Sequence, residues 1–288
     1  MVDYTLAFDR FRLELGSCTC IMGILNATPD SFSDGGRFHT LEAATAQGRS
    51  LAAAGAHILD IGGESSRPFA DPVSEQEEMD RVVPVIEILA REIEIPISID
   101  TVKSKVARAA LDAGATIIND ISALEKDPAM ADLVAERNLP CVLMHMKGTP
   151  STMQINPNYD DLMHEITAYL DKRARFAIEK GIAREKIILD PGIGFGKTVE
   201  HNLVLIRHLK QICDLGFPIL MGPSRKSFIQ AILGKTEKKP IGPDNIKTEY
   251  GTLAAVAASI LNGAHIVRVH DVEHILSFAR ILDAIRNA

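Results

Sequence analysis

Eight short β-like runs recur through the chain at helix-sized intervals, and nearly every one ends in a residue able to bind or react. They are CIMGILN ending at Asn26, HILDIGGE at Glu64, PISID at Asp100, TIIND at Asn119 and Asp120, CVLMH at His145, KIILD at Asp190, FPILMGPS at Ser224 and HIVRVH at His270. Helix-compatible stretches separate them. Strands that alternate with helices predict a parallel sheet, and eight such units predict an α/β fold of the (β/α)8 TIM-barrel type. In that architecture apolar strand interiors build the core, while polar strand ends face one shared mouth. One pattern therefore predicts both the fold and the place of its site.

A length of 288 residues suits such a barrel, which commonly uses about 250 as one unit. No low-complexity stretch, charge block or linker composition interrupts it, so residues 1–288 read as one barrel domain with long catalytic-face loops after strands one and two. A net charge of −7 argues against a nucleic-acid partner, which would need a basic face. A few well-placed arginines and lysines can still create a local anion site. The opening MVDYTLAFDRF carries Asp3 and Asp9 and lacks a signal-peptide core, and no stretch approaches the ~20 apolar residues that span a bilayer. Cys18, Cys20, Cys141 and Cys213 form no C-x-x-C pair and read as reduced thiols. A cytoplasmic protein without a membrane partner is expected.

The spacing predicts helices from Leu41 to Gly55, over 103–113, 127–137, 160–180 and 199–213. Ser74 opens S-E-Q-E, a capping-box pattern for a further helix. GKTEKKPIGPDN reads as an exposed insertion. TEYGTLAAVAASILNG reads as a nearly uncharged helix that must be buried, on the barrel alone or also against a second subunit.

Chemistry concentrates after the strands. In NATPDSFSDGG, Asn26 offers an oxygen to a hard cation, and Asp30, Ser31, Ser33 and Asp34 crowd one loop. Mg²⁺ uses few protein oxygens and often brings substrate phosphates with it. In GGESSRP, glycines permit close backbone approach, and the Arg67 guanidinium can grip a phosphate or carboxylate with two bonds. Asp100 and Asp190 end strands three and six, where an aspartate can simply cap the next helix. A carboxylate there can equally accept paired donors from a planar heterocycle with an N–C–NH₂ edge. Asn119 adds a donor and an acceptor at the same mouth, which favours the ligand reading.

LDPGIGFGKT is neither of two nucleotide motifs it evokes. Pro191 stands where a phosphate loop needs its first glycine, and Lys197 where a dinucleotide fingerprint needs its last. Its glycines suit a close turn around a ligand, with Phe195 as an apolar wall. GPSRKSF and RVHD complete the mouth with Lys226, Ser227, Arg268 and His270, while Arg225 reads as a surface charge. His145 can serve either a ligand or the core.

Together NATPDSFSDGG, GGESSRP, SIDTVKS, IINDIS, LDPGIGFGK, GPSRKSF and RVHD resemble the dihydropteroate synthase family, in order, from about Met22 to Val272. The resemblance implies a folate-pathway transferase that joins 6-hydroxymethyl-7,8-dihydropterin diphosphate to 4-aminobenzoate and releases diphosphate. It implies pterin contacts from Asp100, Asn119, Asp190, Lys226 and Arg268, with Asp100, Lys226 and Arg268 as the catalytic groups. It further implies Asn26 as the protein ligand of Mg²⁺, with Ser66, Arg67, Arg268 and His270 around diphosphate. Ser66, Arg67, Pro68, Phe195 and Ser227 would border the aminobenzoate. A homodimer is implied as well. Ser66 replaces the more usual threonine and keeps the hydroxyl, and Phe69 replaces a usual glycine. Two rival readings are a methyltetrahydrofolate–corrinoid methyltransferase, which has no need of the Mg²⁺ loop or RVH, and a noncatalytic pterin-binding homologue, which should have lost a charged contact.

Overall fold

The computed structural model describes residues 2–28, 36–65 and 71–288, with residues 36–40 described by backbone alone. Its first element was not foreseen. The lead-in folds into β1 (Tyr4–Phe8) and β2 (Phe11–Leu15), an antiparallel hairpin turning at Asp9, whose φ is 46°. Aspartate tolerates that left-handed conformation better than most side chains. Alternation puts Leu6, Phe8 and Leu15 on one face. That face packs on Met22, Ile58, Ile117, Val142, Ile188, Leu220 and Ile266, at the starts of the barrel strands. The hairpin thereby closes the base of the barrel.

The eight expected strands are β3 (Cys20–Asn26), β4 (Ile58–Gly62), β5 (Ile97–Asp100), β6 (Ile117–Asp120), β7 (Cys141–Met144), β8 (Ile187–Asp190), β9 (Leu220–Met221) and β10 (Ile266–Val269). Every pairing among them is parallel, in the order β8-β7-β6-β5-β4-β3-β10-β9. A parallel bridge between Leu189 and Ile219 joins the two edges. The strands are apolar along nearly their whole length because side chains face either packed helices or the filled barrel interior.

The helices are α1 (Gly36–Ala53), α2 (Glu75–Glu92), α3 (Ser104–Asp112), α4 (Pro128–Arg137), α5 (Leu162–Glu179), α6 (Val199–Arg207), α7 (Lys210–Cys213), α8 (Ser227–Glu237), α9 (Ile246–Leu261) and α10 (Val272–Asn287). Several expectations need correction. α1 begins at Gly36 rather than near Leu41. The helix expected over 199–213 breaks at His208 and Leu209 into α6 and α7. GKTE is not part of an insertion; it forms the last turn of α8.

Ser74 does cap α2, its Oγ accepting from Glu77 N at 3.2 Å, but the Glu77 carboxylate turns to Arg81 instead of completing the box. α9 buries Val256 and Ile260, yet it leaves Ile246, Tyr250 and Leu261 more than half exposed. It therefore carries apolar groups on its outer face as well as on its core face.

Candidate active site

Strand register assembles the mouth before any side chain is considered. Asn26 pairs with Gly62, Gly62 with Asp100, and Asp100 with Asn119, so four neighbouring strands end at one level. Gly62 leaves space between its neighbours: a Cβ built there would lie 3.5 Å from that of Asp100. Across the barrel, Arg268 on β10 reaches into this ring. Its Nε donates to Asp60 Oδ2 at 2.6 Å and its Nη2 to Asp100 Oδ2 at 2.8 Å. Asn119 Nδ2 donates to the same Asp60 oxygen at 3.1 Å. Asp60 is wholly buried. It fixes both Arg268 and Asn119, and sequence reading missed it because it lies inside HILDIGG rather than at a strand end.

A pocket at that ion pair is lined by Asp100, Asn119, Asp190, Lys226 and Arg268, together with Ile121, Met144, Ile193, Phe195 and Gly222. A few charged and amide groups set among apolar walls suit a flat heteroaromatic ligand. Asp190 Oδ1 accepts from Gly192 N at 2.7 Å, which orients the carboxylate. Lys226 Nζ lies 4.1 Å from the centre of the Phe195 ring, a cation–π contact.

Burial dominates the electrostatics. It pushes the Asp100 carboxyl up to about 7, against the pull of Arg268 and with a further push from Asp60. It raises Asp190 to about 6, opposed by the Gly192 N–H and by Lys226. Burial and the neighbouring Arg268 lower Lys226 to about 8, while Asp190 and Asp100 resist. Burial would also lower Arg268, but Asp60 and Asp100 outweigh it and hold the guanidinium firmly charged. Acids shifted up and a lysine shifted down in one pocket form the kind of cluster found at functional sites.

Other expected residues fall around this centre. His270 Nδ1 lies 2.9 Å from Ser224 Oγ, which ties the loop after β10 to the loop after β9. Ser227 is exposed as the first residue of α8. Asn26, partly exposed, ends β3 beside Gly62. Ser66, Arg67, Pro68 and Phe69 lie outside the described residues, as do Asp30, Ser31, Ser33 and Asp34. Arg225, expected as a surface charge, is instead partly buried and pairs with Asp244 and Glu249.

His145 takes the core reading. Burial and nearby Lys197 lower its pKa to about 3, so its neutral ring accepts at Nδ1 from Lys197 Nζ, 3.0 Å away. Lys197, missed as a working residue, also donates to Phe195 O at 2.9 Å and so fixes the wall of the pocket. The signal was present: a lysine inside an otherwise apolar, glycine-rich strand end has to find acceptors.

Fold and pocket together define an α/β-barrel enzyme built to hold a flat heterocycle at its strand ends, and the chain belongs to the family described as pterin binding enzyme, whose pattern it matches over residues 22–270. More particularly, it is 47% identical over 280 residues to the dihydropteroate synthase of Synechocystis, covering 97% of this chain and 94% of that one. It is 46% identical to the dihydropteroate synthase of Bacillus subtilis, over 93% of this chain and 89% of the other. Among solved structures, the Xanthomonas albilineans dihydropteroate synthase with 4-aminobenzoic acid superposes with a TM-score of 0.90 at 41% identity, each chain fully covered. The Yersinia pestis dihydropteroate synthase in complex with a sulfonamide drug gives 0.89 at 42% identity, over 99% of this chain and 100% of that one.

Proposed function

We infer that this chain is a dihydropteroate synthase, which condenses 6-hydroxymethyl-7,8-dihydropterin diphosphate with 4-aminobenzoate to give 7,8-dihydropteroate and diphosphate. The observation that carries this reading is the single pocket in which Asp100, Asn119, Asp190, Lys226 and Arg268 meet, in a chain nearly half identical to synthases over almost its whole length. That extent of identity disfavours a corrinoid methyltransferase.

In this reading Asp190 and Asn119 accept and donate along the edge of the pterin, and Lys226 donates to it. Arg268 lies over the ring and reaches toward the diphosphate. Asp100 faces the positive charge that develops on the pterin as the C–O bond to diphosphate breaks. The 4-aminobenzoate amine then attacks the exocyclic carbon and loses a proton. An arylamine is largely unprotonated at neutral pH, so placement by Phe195, Ser227, Ser66, Arg67 and Pro68 replaces activation by a strong base.

His270, with Ser66, Arg67 and Asn26, completes the diphosphate side. The described residues contain no cluster of three or more acidic, histidine or cysteine ligands. A single amide oxygen at Asn26 fits Mg²⁺, which takes most of its ligands from water and phosphate. When bound there, Mg²⁺ would neutralise charge on the departing diphosphate.

The same reading includes a cytoplasmic homodimer. The free cysteines support the location, and no helix among the described residues is long and apolar enough to cross a membrane. The exposed apolar residues of α9 support the second copy. The test is diphosphate release with both substrates and Mg²⁺, with 7,8-dihydropteroate identified as the other product. Release that does not depend on 4-aminobenzoate, or no release at all, overturns the assignment.

A further inference from the structure

Lys103 sits three positions after Asp100, and none of the roles above uses it. Its ammonium donates three bonds: to Glu64 Oε2 at 2.8 Å, to Glu78 Oε2 at 2.6 Å and to the carbonyl of Val73 at 2.6 Å. The other oxygen of Glu64 accepts from Val73 N at 3.1 Å. Both polar groups of the Val73 backbone are thus held, one by the lysine and one by the glutamate it pairs with. Arg81 of α2 adds a bond from Nη1 to Gly63 O at 2.7 Å. Glu64 lies two residues after Gly62, the last residue of β4, and Val73 immediately precedes the Ser74 cap of α2. The intervening segment carries Ser66 and Arg67.

We propose that Lys103, through Glu64 and Val73, is a positioning residue for the chain that carries Ser66 and Arg67, holding the two ends of that segment at a fixed separation beside the Asp100 strand end. A purely structural role would need only the pair between Lys103 and Glu78, whose carboxylate is wholly buried on α2. Glu64, by contrast, is partly exposed and adds little to a core. What it adds is the link between the segment's two ends. Burial disfavours charge on Lys103, but Glu64 and Glu78 outweigh it and raise its pKa, so the clamp keeps its charge. Buried ion pairs contribute little net stability but can register one element against another. The span held here is short, and both ends are tied to one nitrogen.

This inference rests on the roles assigned above to Ser66 and Arg67, and its test separates the two. Glu64→Ala removes the bond to Val73 N and the tie from Lys103 to the segment's first end, while leaving Lys103 paired with Glu78 and bonded to the Val73 carbonyl. We expect its KM for 4-aminobenzoate to rise about tenfold or more, since misplacing a binding group by about 1 Å can cost about 10²-fold. Calorimetric affinity for 6-hydroxymethylpterin, which lacks the diphosphate, should stay within about twofold. Glu64→Gln, which keeps an oxygen for Val73 N, should restore most of the loss.

Hydrogen exchange at the Val73 amide should quicken in Glu64→Ala, a readout independent of catalysis. If Glu64→Ala does not fold, Val73→Pro deletes the same amide bond with every charge kept, and the same pattern is expected. Unchanged Val73 exchange together with an unchanged KM overturns the clamp, as does equal weakening of 4-aminobenzoate and 6-hydroxymethylpterin. If wild-type protein forms no dihydropteroate, the functional reading fails, and the exchange experiment still decides whether the clamp exists.

Discussion

Arg268 enters the pocket already engaged, with one nitrogen on Asp60 and another on Asp100. A ligand edge that needs the Asp100 oxygens therefore competes with an internal guanidinium, and binding exchanges one partner for another. Asp100→Asn keeps the shape and removes the charge. We expect kcat to fall by about 10²–10³, the usual cost of losing a preorganised electrostatic contact, with little change in Tm. Near-wild-type turnover in a folded variant would remove Asp100 from the reaction.

The shifted groups also set a pH window. As pH falls below about 7, Asp100 takes up a proton and the negative charge proposed to face the cationic transition state is lost; Asp190, at about 6, deepens this limb. As pH rises above about 8, Lys226 loses its proton and its charge. A plot of kcat/KM against pH should therefore be bell-shaped, with apparent midpoints that belong to the coupled cluster rather than to single residues. A flat profile from pH 6 to about 9 would show that these ionisations do not govern the free enzyme.

At the scale of elements, the strand-end loops divide the labour. β3 delivers Asn26, whereas β5, β6 and β8 deliver Asp100, Asn119 and Asp190, the groups proposed for the pterin. Asn26→Ala should raise the Mg²⁺ concentration needed for half-maximal diphosphate release while leaving affinity for a pterin without diphosphate unchanged. Full wild-type activity in metal-free buffer would refute the metal site. All eight barrel strands were legible in the sequence because each is a short apolar run between glycine, proline or polar punctuation. Asp100, Asn119, Asp190, Lys226 and Arg268 were legible because a barrel places its strand ends at one mouth.

What escaped has physical reasons. Asp60 is a charge inside a strand, so only its partners Arg268 and Asn119, distant in sequence, explain it. The hairpin of β1 and β2 was hidden because Thr5, Ala7, Arg12 and Glu14 face outward and dilute the apolar signal. The break between α6 and α7 leaves apolar spacing nearly intact across it, so periodicity alone reads one helix. For α9 the sequence left two alternatives, burial on the barrel alone or also against a second subunit, because composition cannot say on which side the covering lies.

At the scale of the molecule, α6, α8 and α9 pack against one another and expose Leu203, Ile232, Ile246 and Tyr250. Such a concentration of apolar side chains on a monomer marks a surface to be covered. We expect sedimentation equilibrium to give twice the chain mass, and Ile246→Lys with Tyr250→Glu to give the monomer mass with the pterin pocket intact. A wild-type monomer at micromolar concentration would refute the pairing.

The other end of the barrel has a different consequence. The β1–β2 hairpin, resting on the strand starts, shares no described contact with Asp100, Asp190 or Lys226, and it belongs to its own apolar cluster. Substitutions there change how firmly the fold holds without changing what the mouth recognises. For a lineage under selection by an inhibitor, altered pocket residues that weaken the fold can be compensated at Leu6, Phe8 or Leu15. Resistance and its repair would then evolve at opposite poles of one molecule.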